Sequence, residues 1–292
     1  MVKTGAAPLV GATQVAVPGR EKMTIITISR GSYSKGKEVA EKVAERLGYQ
    51  CLSREIILDA SEHFHVPEMK LSKAIHDAPS ILERLGHGNR AFVAYYQSAL
   101  TRSVQKDNIV YHGLAGHLLL PGVPHVLKVR IIADLADRVA SEMKREGIPM
   151  HEAEALIARD DEERRKWTQS LYGVDPWDSS LYDLVLHIRQ FTLTNAVDFI
   201  CRAAGLAQFQ TTRKSQQKMD DLTLASQVKA ALIDSYPDIY VKSDYGNILI
   251  YAKPYVRHIH KLEEKAGDLK GKISGINYLE VHPGGTVPPD AV

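Results

Sequence analysis

Cysteine is scarce: Cys51 and Cys201 are the only two in 292 residues. They lie far apart and in no CxxC or zinc-ligand spacing. That excludes a disulfide framework or a cysteine-built metal site and suits buried thiols in a reducing compartment. No apolar run approaches the roughly 20 residues that cross a bilayer, so no transmembrane segment is expected. An excess of one charge is missing too. The formal net charge of +2 is too small for a surface that holds nucleic acid or an anionic membrane, so any basic chemistry must be local. Residues 1–22 lack the charged and then continuously apolar regions of a secretory leader and read as a disordered tail. The expected location is cytoplasmic. No Ser-His-Asp or Cys-His arrangement, internal repeat or low-complexity tract stands out.

What remains is an ordinary globular composition, 44% hydrophobic and 25% charged, with enough chain for one sizeable core and a second, smaller one. Met23 to Ser29 is β-branched and apolar, as suits a strand covered on both faces. Val39, Ala40, Val43, Ala44 and Leu47 then recur at helical spacing until Gly48. Helices are expected at about 54–64 and 89–106, with a charged stretch broken by Pro67 and Pro79 between them. Asn108–Gly113, His125–Ile132 and Tyr182–Ile188 read as further short strands. Helices over 133–147, over 150–171 and after a cap at Thr192 or Thr194 complete the alternation. Such an order implies right-handed βαβ units, an α/β fold with a mostly parallel sheet, and a ligand at the carboxyl ends of its strands. Residues 206–221 are polar and read as a linker. Residues 222–284 restart the pattern as a small α+β unit: a helix at 222–235, two strands joined across Asp244-Tyr245-Gly246-Asn247, a helix at 254–266, and a strand in "INYLEVH". Residues 285–292 read as a second disordered tail.

The stretch Gly31-Ser32-Tyr33-Ser34-Lys35-Gly36-Lys37 fits G-x-x-x-x-G-K and lies directly between a buried strand and an amphipathic helix. Glycines let backbone N–H groups close around an anion, the helix N-terminus favours negative charge, and a lysine reaches the outer phosphates. The competing reading is an ordinary turn with solvent-facing lysines. Glu38 stands where a magnesium-binding Ser or Thr is usual.

Together with "CLSREIILDAS", "IVYHGLAGHLLLPGVPHVLKVRIIADLADRV", "RDDEERRKW" and "YDLVLHIRQFTLTNAVDFI", this opening resembles the cytidylate kinase-like family, a branch of the P-loop nucleoside monophosphate kinases. The resemblance covers residues 23–205. It implies a P-loop NTPase-type three-layer fold and phosphoryl transfer from ATP, with Mg2+, to a pyrimidine nucleoside monophosphate. Carried over residue by residue, the phosphate-binding set is Arg30, Gly31, Ser32, Ser34, Lys35, Gly36, Lys37 and Glu38. Lys37, Arg159 and Arg164 are the expected catalytic cations. The expected lid comprises Arg159, Asp161, Glu163 and Arg164, with Asp161 or Glu163 holding the arginines. Asp160 and Arg164 also stand four apart, which fits a salt-bridged solvated face. The family's loop often reads Gly-Ser-Gly-Gly-Arg-Glu. Here Tyr33 and Lys35 replace glycines, and a side chain at φ > 0 would obstruct close approach to a phosphate. Lys35 and Lys37 are alternatives for the phosphate lysine. Where relatives carry Gly-Arg, this chain has Gly113-Leu114, so the guanidinium that grips the acceptor is lost. Arg54 and Arg90 are candidates to replace it, beside Gly113. These departures motivate an alternative, a catalytically degenerate nucleotide-binding regulatory protein.

His63 with His65, and His258 with His260, lack a supporting carboxylate or cysteine pattern and read as surface residues. His112 and His117 read as structural. The magnesium ligands are not legible. The 222–284 unit resembles a BON domain, which implies a site for a small ligand or a protein partner. Tyr240, Tyr245, Tyr251 and Tyr255 are candidates to line it.

Overall fold

A computed structural model describes residues 23–31, 34–76, 88–113, 115–253 and 259–292. The expected tail 1–22, Ser32, Tyr33, Pro79, Leu114 and the segment 254–258 lie outside the described residues. The described residues form two sheets. In the first, β1 (Ile25–Arg30), β2 (Gln50–Leu52), β3 (Ile109–His112), β4 (Val126–Ala133) and β5 (Leu184–Ile188) run parallel in the order β2-β3-β1-β4-β5. Ile28 is opposite His112 on one side and Val129 on the other, so β1 occupies the middle.

Alternation along β1 sends its side chains to two cores. Ile26 and Ile28 pack with α1 (Gly36–Leu47) and α8 (Leu193–Ala204) on one face. Ile25 faces the other core, with α2 (Glu55–Phe64) and α4 (Gly88–Val104). Helix α3 (Glu68–His76) packs beside them, and the short α5 (Gly116–Leu119) follows β3. Helix, sheet and helix make the three layers. Gly48 ends α1 at φ 69°, where its N–H reaches back to Glu45. Thr192, not Thr194, caps α8, exchanging hydrogen bonds with Asn195. Helices α6 (Leu135–Glu146) and α7 (Met150–Tyr172) stand between β4 and β5. Connections from β1 lead toward β2 and those from β3 cross to β4, so the order reverses beside the carboxyl end of β1. That is where such sheets open a crevice.

The expected linker is largely helix. Helix α9 (Arg213–Leu232) begins at a Thr212/Ser215 capping box, well before residue 222. Its polar residues are met by Gln105, just past the end of α4: Gln216 donates to the Gln105 carbonyl at 3.0 Å and Gln105 donates to Asp220 at 2.8 Å. One apolar cluster runs from Tyr95 and Leu100 through Leu222 and Val228 into the second sheet, so the two units share a core. That sheet holds β6 (Tyr240–Asp244), β7 (Asn247–Ala252) and β8 (Tyr278–Pro283), with α10 (Ile259–Gly267) packed against it. β6 and β7 are antiparallel, β7 and β8 parallel. The expected tail is docked as well. Val241 and Val292 exchange both backbone hydrogen bonds at 2.9 Å and Lys242 pairs with Asp290, because β6 offers an open edge. Among the described residues no helix is long and apolar enough to cross a membrane.

Tyr245 and Gly246 turn the β6–β7 hairpin with φ of 51° and 77°, the mirror-image geometry that matches strand twist. A Cβ on Gly246 would fall 2.4 Å from the Gly275 carbonyl oxygen. Gly246→Ala is therefore expected to cost about 2–4 kcal/mol. Urea unfolding checks it, as a lowered midpoint with an unchanged slope.

Candidate functional site

The β1–α1 turn is held from below by Ser34. This side chain is fully buried, and its hydroxyl lies within hydrogen-bonding distance of the Gly31 carbonyl at 3.0 Å and the Ile131 carbonyl at 3.3 Å. The Ser34 N–H also reaches Gly31, and the Gly31 N–H reaches Ile131 on β4. Gly36 is sterically required, since a Cβ there would lie 2.6 Å from the Arg30 Cβ. Lys35 precedes the helix at φ 62° and supplies no capping side chain. The turn thus does not avoid the left-handed region at this glycine-type position, and an exposed lysine occupies it. An uncapped helix start leaves first-turn N–H groups directed outward, where an anion is favoured.

A cleft of about 570 Å³ opens above this turn, lined by Arg30, Lys35, Gly36, Lys37, Glu38 and Arg164, with Glu41 and the α6 residues Ser141, Glu142 and Arg145 across from them. Six of the expected residues are therefore brought together. Gly31 lines a smaller crevice beside Asp161 and Arg164. Arg164 donates to the Arg30 carbonyl at 3.2 Å. Asp161 accepts from Arg138 at 2.6 Å, and the Arg138 guanidinium carbon lies 3.6 Å from where a Gly31 Cβ would stand. Glu163 is partly buried on the same helix. Lys37 is exposed and 3.7 Å from Glu41.

Other expected residues stand apart. Arg159 is largely exposed and 3.5 Å from Asp160, so its charge faces solvent. Arg54 is exposed and bonded to Glu68 at 2.9 Å. Arg90 is removed from this cleft: it pairs with Asp238 and lines a different cavity. Gly113 covers the Tyr111 ring, and a Cβ there would fall 2.2 Å from the Tyr111 hydroxyl oxygen.

Sequence reasoning missed Arg138, Glu142 and Arg145. They stand at i, i+4 and i+7 on α6, a legible one-faced stripe. Glu142 is fully buried. One carboxylate oxygen accepts from Arg145 at 2.7 Å, and the other has no partner among the described residues. His112 ends β3 nearby. Burial lowers its pKa first, and the charge of Arg30 second, with Glu41 and Glu55 opposing. Among the described residues no group of three His, Cys, Asp or Glu side chains converges to hold a metal. Magnesium that arrives with nucleotide phosphates keeps waters and needs only one or two carboxylates. The unpartnered oxygen of Glu142, with Glu38 and Glu41 in the same cleft, fits that need.

The model of the cytidylate kinase-like family matches residues 25–190. The chain belongs to this family. The match ends before α8, so α9 and the second sheet lie outside it. The chain is similar to the cytidylate kinase of Methanopyrus kandleri, 28% identical over 171 residues that cover 56% of this chain and 83% of that relative. It is also similar to the cytidylate kinase of Archaeoglobus fulgidus, 25% identical over 65% of this chain and 99% of that one. A crystal structure of an uncharacterized protein from Eubacterium ventriosum matches with a TM-score of 0.50 at 20% identity, covering 62% of this chain and 98% of that chain. That likeness concerns the fold.

His117, behind the turn, is buried with neither ring nitrogen partnered among the described residues, and its ring packs on Tyr182. Burial, then Lys128 and Arg130, pushes its pKa down to about 3. The folded protein therefore keeps the ring neutral while the unfolded chain protonates it below about 6.5. The stability this confers is present above that pH and lost as pH falls toward 3. Between pH 7 and 5 the protein should lose about 2 kcal/mol more than a His117→Gln variant, as read by urea unfolding at both pH values.

Proposed function

We propose that this chain transfers the γ-phosphoryl group of ATP to a nucleoside monophosphate, with cytidylate as the acceptor. One observation carries the reading: the uncapped start of α1 faces a cleft bearing Arg30, Lys35, Lys37, Arg145 and Arg164. First-turn N–H groups bind the inner phosphates, and Lys35 and Lys37 reach the outer ones. Arg138 and Arg164 hold charge near the transferring group, positioned by Asp161 and the Arg30 carbonyl. ATP would supply the phosphoryl group, and Glu142 with Glu38 or Glu41 would hold its magnesium, which would supply neutralising charge to the phosphates. Their fixed geometry stabilises charge as it shifts between donor and acceptor. The acceptor lies toward the end of β3, near His112, Glu55 and Gly113, and Arg54 swings in from the rim. Arg159 joins only on closure of the α6–α7 lid. The free thiols Cys51 and Cys201 suit a cytoplasmic setting. The helix–strand–strand–helix–strand order of α9 to β8 supports a fused BON-like binding module.

Lys35 at φ 62° favours a second reading. A non-glycine residue there costs about 1–2 kcal/mol, which fits a site kept for sensing nucleotide without turnover. A coupled assay with CMP, dCMP, UMP and AMP decides, paired with calorimetry of ATP. Turnover with CMP or dCMP is expected, and Arg164→Met should lower kcat/KM about 100-fold. ATP binding without transfer to any acceptor would favour the sensor. Folded protein that neither binds ATP nor turns over would contradict both.

A further inference from the structure

A second cavity, of about 310 Å³, opens where α4, the last turn of α7, α9 and the approach to β6 meet. It shares no lining residue with the phosphate cleft. Much of its wall is apolar, including Val93, Leu118, Leu171, Ile233 and Ile239. Two cations line it, Arg90 of α4 and Lys229 of α9. Arg90 pairs with Asp238, which also accepts from Lys253 at 3.1 Å. Lys229 is differently placed. Its ammonium lies 5.4 Å from the centroid of the Tyr240 ring, and among the described residues no carboxylate pairs with it. Burial, and then the charge of Arg90, pushes its pKa down to about 8. Lys229 is half-buried with no counter-ion among the described residues, and an anion delivered into the cavity relieves the cost of that arrangement.

The charges that line the cavity limit which anion fits. Asp238 is shared by Arg90 and Lys253, so among the described residues Lys229 is the lining cation with no carboxylate partner. Inorganic phosphate covers none of the apolar wall, whereas an organic acid pairs its charge with Lys229 and buries its body against that wall. The volume lies at the lower end for ligand sites, so the body of the ligand is small.

We propose that this cavity binds a small organic monocarboxylate, its carboxylate paired with Lys229 and its hydrocarbon body against the α4, α7 and α9 wall. Leu171 and Tyr172 of that wall belong to α7, the helix that also places Asp161 and Arg164 at the phosphate cleft. The ligand therefore touches an element common to both sites.

Calorimetry of the full chain with hexanoate and phenylacetate, beside hexanol and inorganic phosphate, tests this without any kinase assay. Both carboxylates should bind, with hexanol and phosphate weaker by about tenfold or more. Lys229→Met should weaken carboxylate binding about tenfold or more, while Lys272→Met, an exposed lysine outside the cavity, should leave it unchanged. No carboxylate binding at millimolar concentration, hexanol binding as well as hexanoate, phosphate binding in place of the acids, or undiminished binding to folded Lys229→Met would each overturn the proposal. If Lys229→Met does not fold, the acid-against-alcohol comparison on the unaltered protein decides.

Discussion

The hydroxyl of Ser34 is the small anchor on which the cleft over the β1–α1 turn depends. It is buried at the junction of β1, β4 and α1, and its contacts to the Gly31 and Ile131 carbonyls tie the turn to the neighbouring strand. With that tie in place, Gly36 must stay against Arg30, because no side chain fits between them. The direction of α1 follows, and with it the direction of its open N–H groups. The parallel order places this turn at the reversal beside β1, where the sheet leaves room for a ligand. A site of this kind needs little reactive chemistry from the chain. It needs donors that are already aimed, since reorganising them during reaction would consume the stabilisation they supply.

Helices α6 and α7 contribute through charge-assisted hydrogen bonds to each other and to that fixed floor. Asp161 keeps Arg138 near Gly31, and Arg164 is bonded to the last carbonyl of β1. The first contact ties α7 to α6 and the second ties α7 to the turn, so the position of α7 sets where both guanidinium groups stand. Glu142 is the counterweight. Its buried carboxylate is half-satisfied by Arg145, which is costly in the absence of a cation or donor and favourable once one arrives.

Much of this was legible because periodicity and burial agree. The β-branched run at Ile25 to Ile28 is a central strand, and Val39, Ala40, Val43 and Ala44 are the buried face of α1. The G-x-x-x-x-G-K spacing placed the cleft, and the βαβ alternation the parallel order. The failures have physical causes. Residues 213–221 looked like a linker because polarity usually means solvent, yet Gln216 and Asp220 are bonded to Gln105, just past α4. Residues near Val292 looked like a tail because their pairing partner, the edge of β6, is remote in sequence. Arg90 was a reasonable anion ligand by type, and only the packing of α4 against the second unit assigns it to Asp238. The α6 stripe of Arg138, Glu142 and Arg145 was visible in spacing but indistinguishable from a solvated face. Depth of burial, which separates the two, comes from tertiary packing.

The central claim is that main-chain N–H groups at the start of α1 hold nucleotide phosphates. Amide nitrogen-15 chemical shifts of the full chain, followed as magnesium-ATP is added, address it most directly. The account predicts the largest saturable changes at Gly31, Gly36, Lys37 and Glu38. Folded protein in which those amides stay unmoved, while others respond or none do, would contradict it.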